Sequence, residues 1–264
     1  MRRTLSMLAV LVGTTTLGLP AVTQATPTVN LKVAAVPVPL DPSRPHSATY
    51  PGTGAIYGAP FAAQLELAIH GHEYGGAPLP ITQVKLWAPA GVKLSANGFA
   101  TCMEAALKER GPQGCPKRSF AGPMGEARGE TSFGSERVHE TVSLQALFAP
   151  GGGFYVFVEG RTPASIELIT KGVVGSAPGG APFGLLVTSE VPLVESVPGA
   201  LDASVEFIKI EVGAAYKKGN KLVSYLTAPK RCPKGGFPAK VEVTFLGGET
   251  VTASYLYPCP KRGN

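Results

Sequence analysis

Aspartate is almost missing from this chain: Asp41 and Asp202 are the only two in 264 residues, each beside a leucine. Calcium sites and Ser-His-Asp triads draw on more aspartate than that. The Gly-x-Ser-x-Gly elbow is missing too, since Gly175-Ser176-Ala177-Pro178-Gly179 has the wrong spacing and no strand–turn–helix context. No glycine-rich phosphate loop, dinucleotide fingerprint or sustained amphipathic helix occurs. Glu66 with Glu73, and Glu206 with Glu211, fall on the polar faces of alternating segments and read as solvated side chains rather than a glycosidase pair. Aromatic residues make up 8%, with Trp87 the single tryptophan. The four cysteines include no Cys-x-x-Cys and no histidine at ligand spacing, which argues against a zinc site on them. The common catalytic layouts are therefore excluded, no cofactor is implied, and the function expected is non-catalytic.

Long apolar runs are scarce as well. The first, Leu5 to Leu19, follows Arg2-Arg3 and ends at Pro20, with Thr23-Gln24-Ala25 supplying small residues at a cleavage site. Basic head, apolar core and small-residue exit define a secretory signal peptide over 1–25. The run is shorter than the roughly 20 residues that span a bilayer, so no transmembrane segment is expected once it is removed. Export, to the cell envelope or the extracellular space, follows. The remaining 239 residues carry a net charge of +4. Their lysines and arginines cluster only thinly, at Lys217-Lys218, Lys230-Arg231 and Lys261-Arg262, too sparse for a nucleic-acid surface. An extracellular ligand or anionic wall polymers are the partners this charge leaves open.

An even number of cysteines in an exported chain reads as a disulfide framework. Cys102, Cys115, Cys232 and Cys259 allow three pairings, and sequence order favours Cys102–Cys115 with Cys232–Cys259. Loops of these lengths contribute on the order of 3 to 4 kcal/mol each in the chain-entropy model.

What the chain has in abundance is punctuation, with 33 glycines and 25 prolines. That density suits many short strands and no long helix. Residues 26–60 form a Pro/Gly-rich arm whose Val29–Val36 stretch adds an edge strand. Period-two alternation then marks half-buried antiparallel strands at Phe61–His70, Ile81–Trp87, Val138–Phe148 and Leu185–Val194. Phe154–Val158 is apolar throughout, as a central strand would be. Between Ala203 and Val212 the apolar phase slips by one, from Ala203, Val205 and Phe207 to Ile208, Ile210 and Val212, which signals a β-bulge. Lys218-Gly219-Asn220 and Gly247-Gly248 read as hairpin turns, and Gly172–Gly184 as a mobile loop. One helix is expected at 101–110, capped by Thr101 with Glu104 closing a capping box, stopped by Gly111-Pro112 and stapled by Cys102 and Cys115. The fold class is mainly β, an antiparallel β-sandwich with one short helix, either two β-rich domains (61–149 and 150–264) or one sandwich spanning both.

Three stretches carry a family likeness: Ala88-Pro89-Ala90-Gly91-Val92 leading to Ala100-Thr101-Cys102 and Gly114-Cys115-Pro116; Val191-Pro192 through Val197-Pro198-Gly199; and Arg231-Cys232-Pro233-Lys234-Gly235-Gly236-Phe237-Pro238 closing at Pro258-Cys259-Pro260. Together they resemble exported proteins of unknown function from high-GC Gram-positive bacteria. The resemblance implies the same cysteine pairing and a β-rich fold, and it implies no activity.

Three functional readings follow. The first is a structural or adhesive β scaffold. The second is a binding module for an apolar or carbohydrate ligand, with a cavity walled by Trp87 or Tyr155 and the Gly172–Gly184 loop as its lid. The third is a metal-binding protein using His70 and His72, which an extended segment places on one face, joined by Glu73 or His139.

Overall fold

The computed structural model describes residues 26–44, 47–50, 57–133, 136–161, 165–195 and 201–259; the expected signal peptide lies outside them. Alternating residues give a strand two unlike faces, and eleven such strands join in one sheet. In chain order they are β1 (Thr28–Val36), β2 (Ala62–His70), β3 (Ile81–Pro89), β4 (Gly125–Phe133), β5 (Glu136–Phe148), β6 (Phe154–Gly160), β7 (Ile166–Ser176), β8 (Phe183–Glu190), β9 (Ser204–Val212), β10 (Phe237–Phe245) and β11 (Thr250–Tyr257). Across the sheet the order is β1-β2-β9-β4-β5-β6-β7-β8-β3-β10-β11, every neighbouring pair antiparallel. Strands from 61–149 and from 150–264 interleave, with β9 between β2 and β4 and β3 between β8 and β10.

An odd number of antiparallel strands leaves the edges β1 and β11 pointing the same way. They approach each other closely, yet no hydrogen-bonded ladder joins them. The sheet is rolled nearly shut, with one seam. The strands do not sort into the two hydrogen-bonded sheets of the expected sandwich, although one curled sheet also sets opposite walls face to face. Side chains seal the seam. Val29 and Leu31 of β1 pack with Leu67 and Ile69 of β2 and with Val241, Val243 and Phe245 of β10, while Val251, Ala253 and Tyr255 of β11 lean on the same cluster. Burial of β10 alternates strictly from Phe237 to Phe245, as its sequence pattern requires.

The expected disulfides are both present, Cys102–Cys115 with its Cα atoms 5.1 Å apart and Cys232–Cys259 at 5.9 Å. The helix, α1, runs Glu104–Arg110 and lies on the outer face of β5–β7. Leu107, Cys102 and Cys115 pack there on Leu147, Tyr155, Phe157 and the flank of Ile169, all buried or half-buried. This cover explains why β6 is apolar on both faces: one faces inward, the other faces the helix. The helix begins two residues later than expected, and no capping box forms. The N–H of Cys102 donates to the Phe148 carbonyl at 2.8 Å, which ties that residue to the end of β5 and leaves Met103, extended, as the uncapped N-cap. Glu104 pairs with Lys108 at 2.6 Å, and this lysine holds the Glu104 carboxyl below its ordinary pKa. Gly111 ends the helix with φ of 61°, as the sequence required.

Both expected hairpins form, Ala215–Lys218 with Lys221–Ser224 and β10 with β11. The segment Gly172–Ser176, expected to be mobile, is instead part of β7; the Phe154 ring lies where a Cβ on Gly172 would stand, so the glycine here makes room for an aromatic neighbour. Around β9, Val205 and Ile208 face inward while Phe207 turns outward beneath the guanidinium of Arg128, 4.4 Å from its ring centre. The bulge therefore sits at Glu206, one residue before the phase slip. A Cβ on Gly129 would collide with the Ser204 carbonyl, so only glycine lets β9 kink toward β4 here.

Candidate functional site

Period-two alternation around a nearly closed sheet sends one apolar row from each strand into a shared interior. Along β10 the inward side chains from Phe237 to Phe245 are fully buried, with Phe237, Ala239 and Val241 also bordering a void. This cavity of about 390 Å³ is bordered by Val156 and Val158 of β6, Leu168 of β7, Val187 of β8 and Ile208 and Ile210 of β9, among other residues. Every one of these six is only half-buried, although it faces inward and is surrounded by protein. Inward residues of a filled core would be fully buried; these border a void. Lining positions run along β8 from Leu185 and on to Val191 just beyond its end. Six residue steps at about 3.3 Å make the cavity roughly 20 Å long and therefore narrow. Among the described residues the lining holds no charged side chain, and Thr170 and Ser189 are its only small hydroxyls.

One end is plugged by loops. Phe99 packs on Phe148 at 4.9 Å, Tyr225 packs on Phe148 at 4.5 Å, and Leu94 pairs with Leu226 across a two-residue ladder. Burial drives the Tyr225 hydroxyl up to a pKa of about 12, and burial likewise raises the Glu211 carboxyl near this end. The Cys232–Cys259 bridge ties the chain just before β10 to the chain just after β11, on the same end.

The other end carries a polar cleft of about 420 Å³. His70, His72, His139, Arg128, Glu140 and Glu206 all border it. Register places His139 of β5 opposite Glu130 of β4, on the same face, and the bulge delivers Glu206 beside them. His139 Nδ1 lies 3.5 Å from Glu130 Oε1 and 3.9 Å from Glu206 Oε2. Arg137 donates from Nε to the other Glu130 oxygen at 2.7 Å and from Nη1 to the Tyr74 carbonyl at 2.6 Å. His72 Nδ1 donates to the Gly76 carbonyl at 3.1 Å, which leaves Nε2 as the nitrogen able to bind a cation. Among the described residues, Glu130, His139 and Glu206 are the group whose ligand atoms converge, within 4.8 Å of one another.

The residues singled out in the sequence are distributed between these places. Trp87 is among the residues bordering the apolar cavity, with the Lys240 ammonium 3.6 Å from its ring centre. Tyr155 points to the outer face, under α1. His70 and His72 reach the cleft together with His139, whereas Glu73 is not among the residues bordering it. Glu130 and Glu140 are not distinguished in the sequence, and Glu206, which reads there as a solvated strand residue, instead stands beside His139. Glu206 carried a signal, the phase slip beside it. Glu140 had only its place on an otherwise apolar row, where it is 5% exposed.

Among the described residues no helix is long and apolar enough to cross a membrane. Comparison with family models, with curated proteins and with solved structures finds no match to this chain.

Proposed function

We propose that this protein is an exported, extracytoplasmic binding protein that takes a long apolar chain, alkyl or isoprenoid, into the interior of its curled sheet. Its opposed walls act as the two faces of a sandwich held apart by the ligand. The observation that carries this reading is the set of inward aliphatic side chains left half-buried around a cavity of about 390 Å³. Ligand cavities usually span about 300–1,000 Å³ with mostly apolar linings. A structural or adhesive scaffold has no use for such a void, which forfeits the contacts of every residue that lines it. The elongated shape favours a flexible chain over a sugar, and a lining without charge supplies few of the polar groups that a carbohydrate demands. Each methylene moved from water into the lumen contributes about 0.8 kcal/mol. The two disulfides and the short basic-headed apolar N-terminus support an extracytoplasmic setting.

The test is a titration with cis-parinaric acid, whose fluorescence rises on leaving water, followed by competition with saturated fatty acids of increasing length. Saturable binding of one probe per chain is expected, abolished by Val187→Trp and by Val156→Trp, each of which fills the lumen with an indole. Probe binding that both variants leave unchanged would end this reading.

A further inference from the structure

We infer that Glu130 Oε1, His139 Nδ1 and Glu206 Oε2, at the edge of the polar cleft opposite the loop plug, form a divalent transition-metal site, independent of what occupies the lumen. Metal–ligand bonds of about 2.0–2.2 Å place neighbouring donors roughly 3–4 Å apart, and the spacings of 3.5 Å and 3.9 Å already match this. Four further observations point to a ligand rather than to a chance ion pair. Glu206 is aimed here by a β-bulge, which breaks the ladder of β9 with β4 and places two residues opposite one. Arg137 grips one oxygen of Glu130 and the Tyr74 carbonyl together, which orients the free oxygen toward His139 in the manner of an outer partner to a metal ligand. His72, on the same cleft, has its Nδ1 proton committed to a backbone carbonyl, the arrangement that readies Nε2 for coordination. Ser204, 2% exposed and facing Glu130 in the ladder, has a buried hydroxyl with no hydrogen-bond partner among the described residues. Three of the four histidines in the chain border this one cleft.

The donor set selects the metal. Imidazole with carboxylate suits Zn²⁺ or Ni²⁺, while Ca²⁺ and Mg²⁺ prefer shells of oxygen alone. Two guanidiniums, Arg128 and Arg137, stand near three carboxylates, Glu130, Glu140 and Glu206, so the surroundings keep a net negative charge that favours a cation. His139 is exposed at the rim and leaves the metal open to solvent on that side.

The experiment uses the full chain purified without a polyhistidine tag, stripped with a chelator, dialysed and titrated calorimetrically with ZnCl₂ and separately with CaCl₂. One Zn²⁺ per chain is expected and no saturable Ca²⁺ binding. Glu206→Gln and His139→Ala should each weaken Zn²⁺ binding on the order of tenfold or more, and Glu167→Gln, on the exposed face of β7, should leave it unchanged. Thermal melts of the metal-free variants verify that they fold. X-ray absorption at the zinc edge should report a nitrogen and oxygen shell with imidazole scattering. The assignment is overturned by an absence of saturable Zn²⁺ binding, by binding that neither variant weakens, or by sulfur in the shell.

Discussion

The lumen and the cleft are built from the same strands by opposite means. The lumen comes from regularity: each strand keeps its period of two, and its inward row is aliphatic. The cleft comes from a break in that regularity, one extra residue in β9 and a glycine opposite it. Regular alternation can only make a wall of one chemical kind, so the proposed lumen ligand would be selected by length and shape. Irregular backbone can gather an imidazole and two carboxylates from three strands, so the proposed site there would select by charge. One sheet thus holds an apolar interior and a charged rim that share strand β9 but differ in chemistry.

The comparison breaks most completely if charge is put on the lumen side. Val241→Asp would bury an unpaired carboxylate at a position 2% exposed, where the sealed seam and the cavity wall meet. A loss of more than about 4 kcal/mol in urea unfolding is expected. A smaller loss, about 1–3 kcal/mol, is expected for Gly129→Val, because the new side chain meets the Ser204 carbonyl and must push β9 away. This variant should also abolish Zn²⁺ binding, since Glu206 loses its place, while leaving the lumen's probe binding in the same range.

At the plugged end the Tyr225 hydroxyl keeps its proton in the folded protein up to a pH of about 12, whereas in the unfolded chain it titrates near 10. Between those values the unfolded state holds fewer protons than the folded one, so stability falls as pH rises. The slope from this group reaches at most about 1.4 kcal/mol per pH unit. Tyr225→Phe should remove that part of the alkaline loss in denaturation midpoints measured from pH 9 to 12. The smallest effect belongs to the rim. Glu206→Gln removes a carboxylate whose side chain is 38% exposed and 3.9 Å from His139. Its change in metal-free stability should stay within about 0.5 kcal/mol, in contrast to its tenfold effect on Zn²⁺.

Local features were legible in the sequence and non-local ones were not. The disulfide partners, the two hairpins at Gly219-Asn220 and Gly247-Gly248, and the edge strand before Val36 all depend on short stretches of chain, and each is where sequence order placed it. The slip between Phe207 and Ile208 revealed a bulge, but not that Glu206 would land beside Glu130 and His139, because that depends on β4 and β5 being its neighbours. Closure of the sheet depends on pairing β2 with β9 and β3 with β10, contacts more than a hundred residues apart in the chain, and no local pattern encodes them. The helix starts at Glu104 for the same reason, because the Cys102 N–H donates to the distant Phe148 carbonyl instead of starting the helix. Gly172 reads in sequence as the start of a mobile loop, yet it lies within β7, where the Phe154 ring occupies the space a side chain would need. Tyr155 reads in sequence as a cavity wall, but its ring packs under α1 on the outer face, a contact that only the fold reveals.

The lumen is the centre of this account, and the chain length of its ligand tests it. If alkyl chains enter the cavity, each two-carbon shortening removes about 1.6 kcal/mol, which weakens binding on the order of tenfold. The most direct measurement is a nuclear Overhauser experiment with ¹³C-labelled palmitate bound to the protein. The account predicts transfer from the chain methylenes to the methyl groups of Val156, Leu168, Val187 and Ile208. Transfer confined to the exposed Val173 and Leu256 on the outer surface would contradict it.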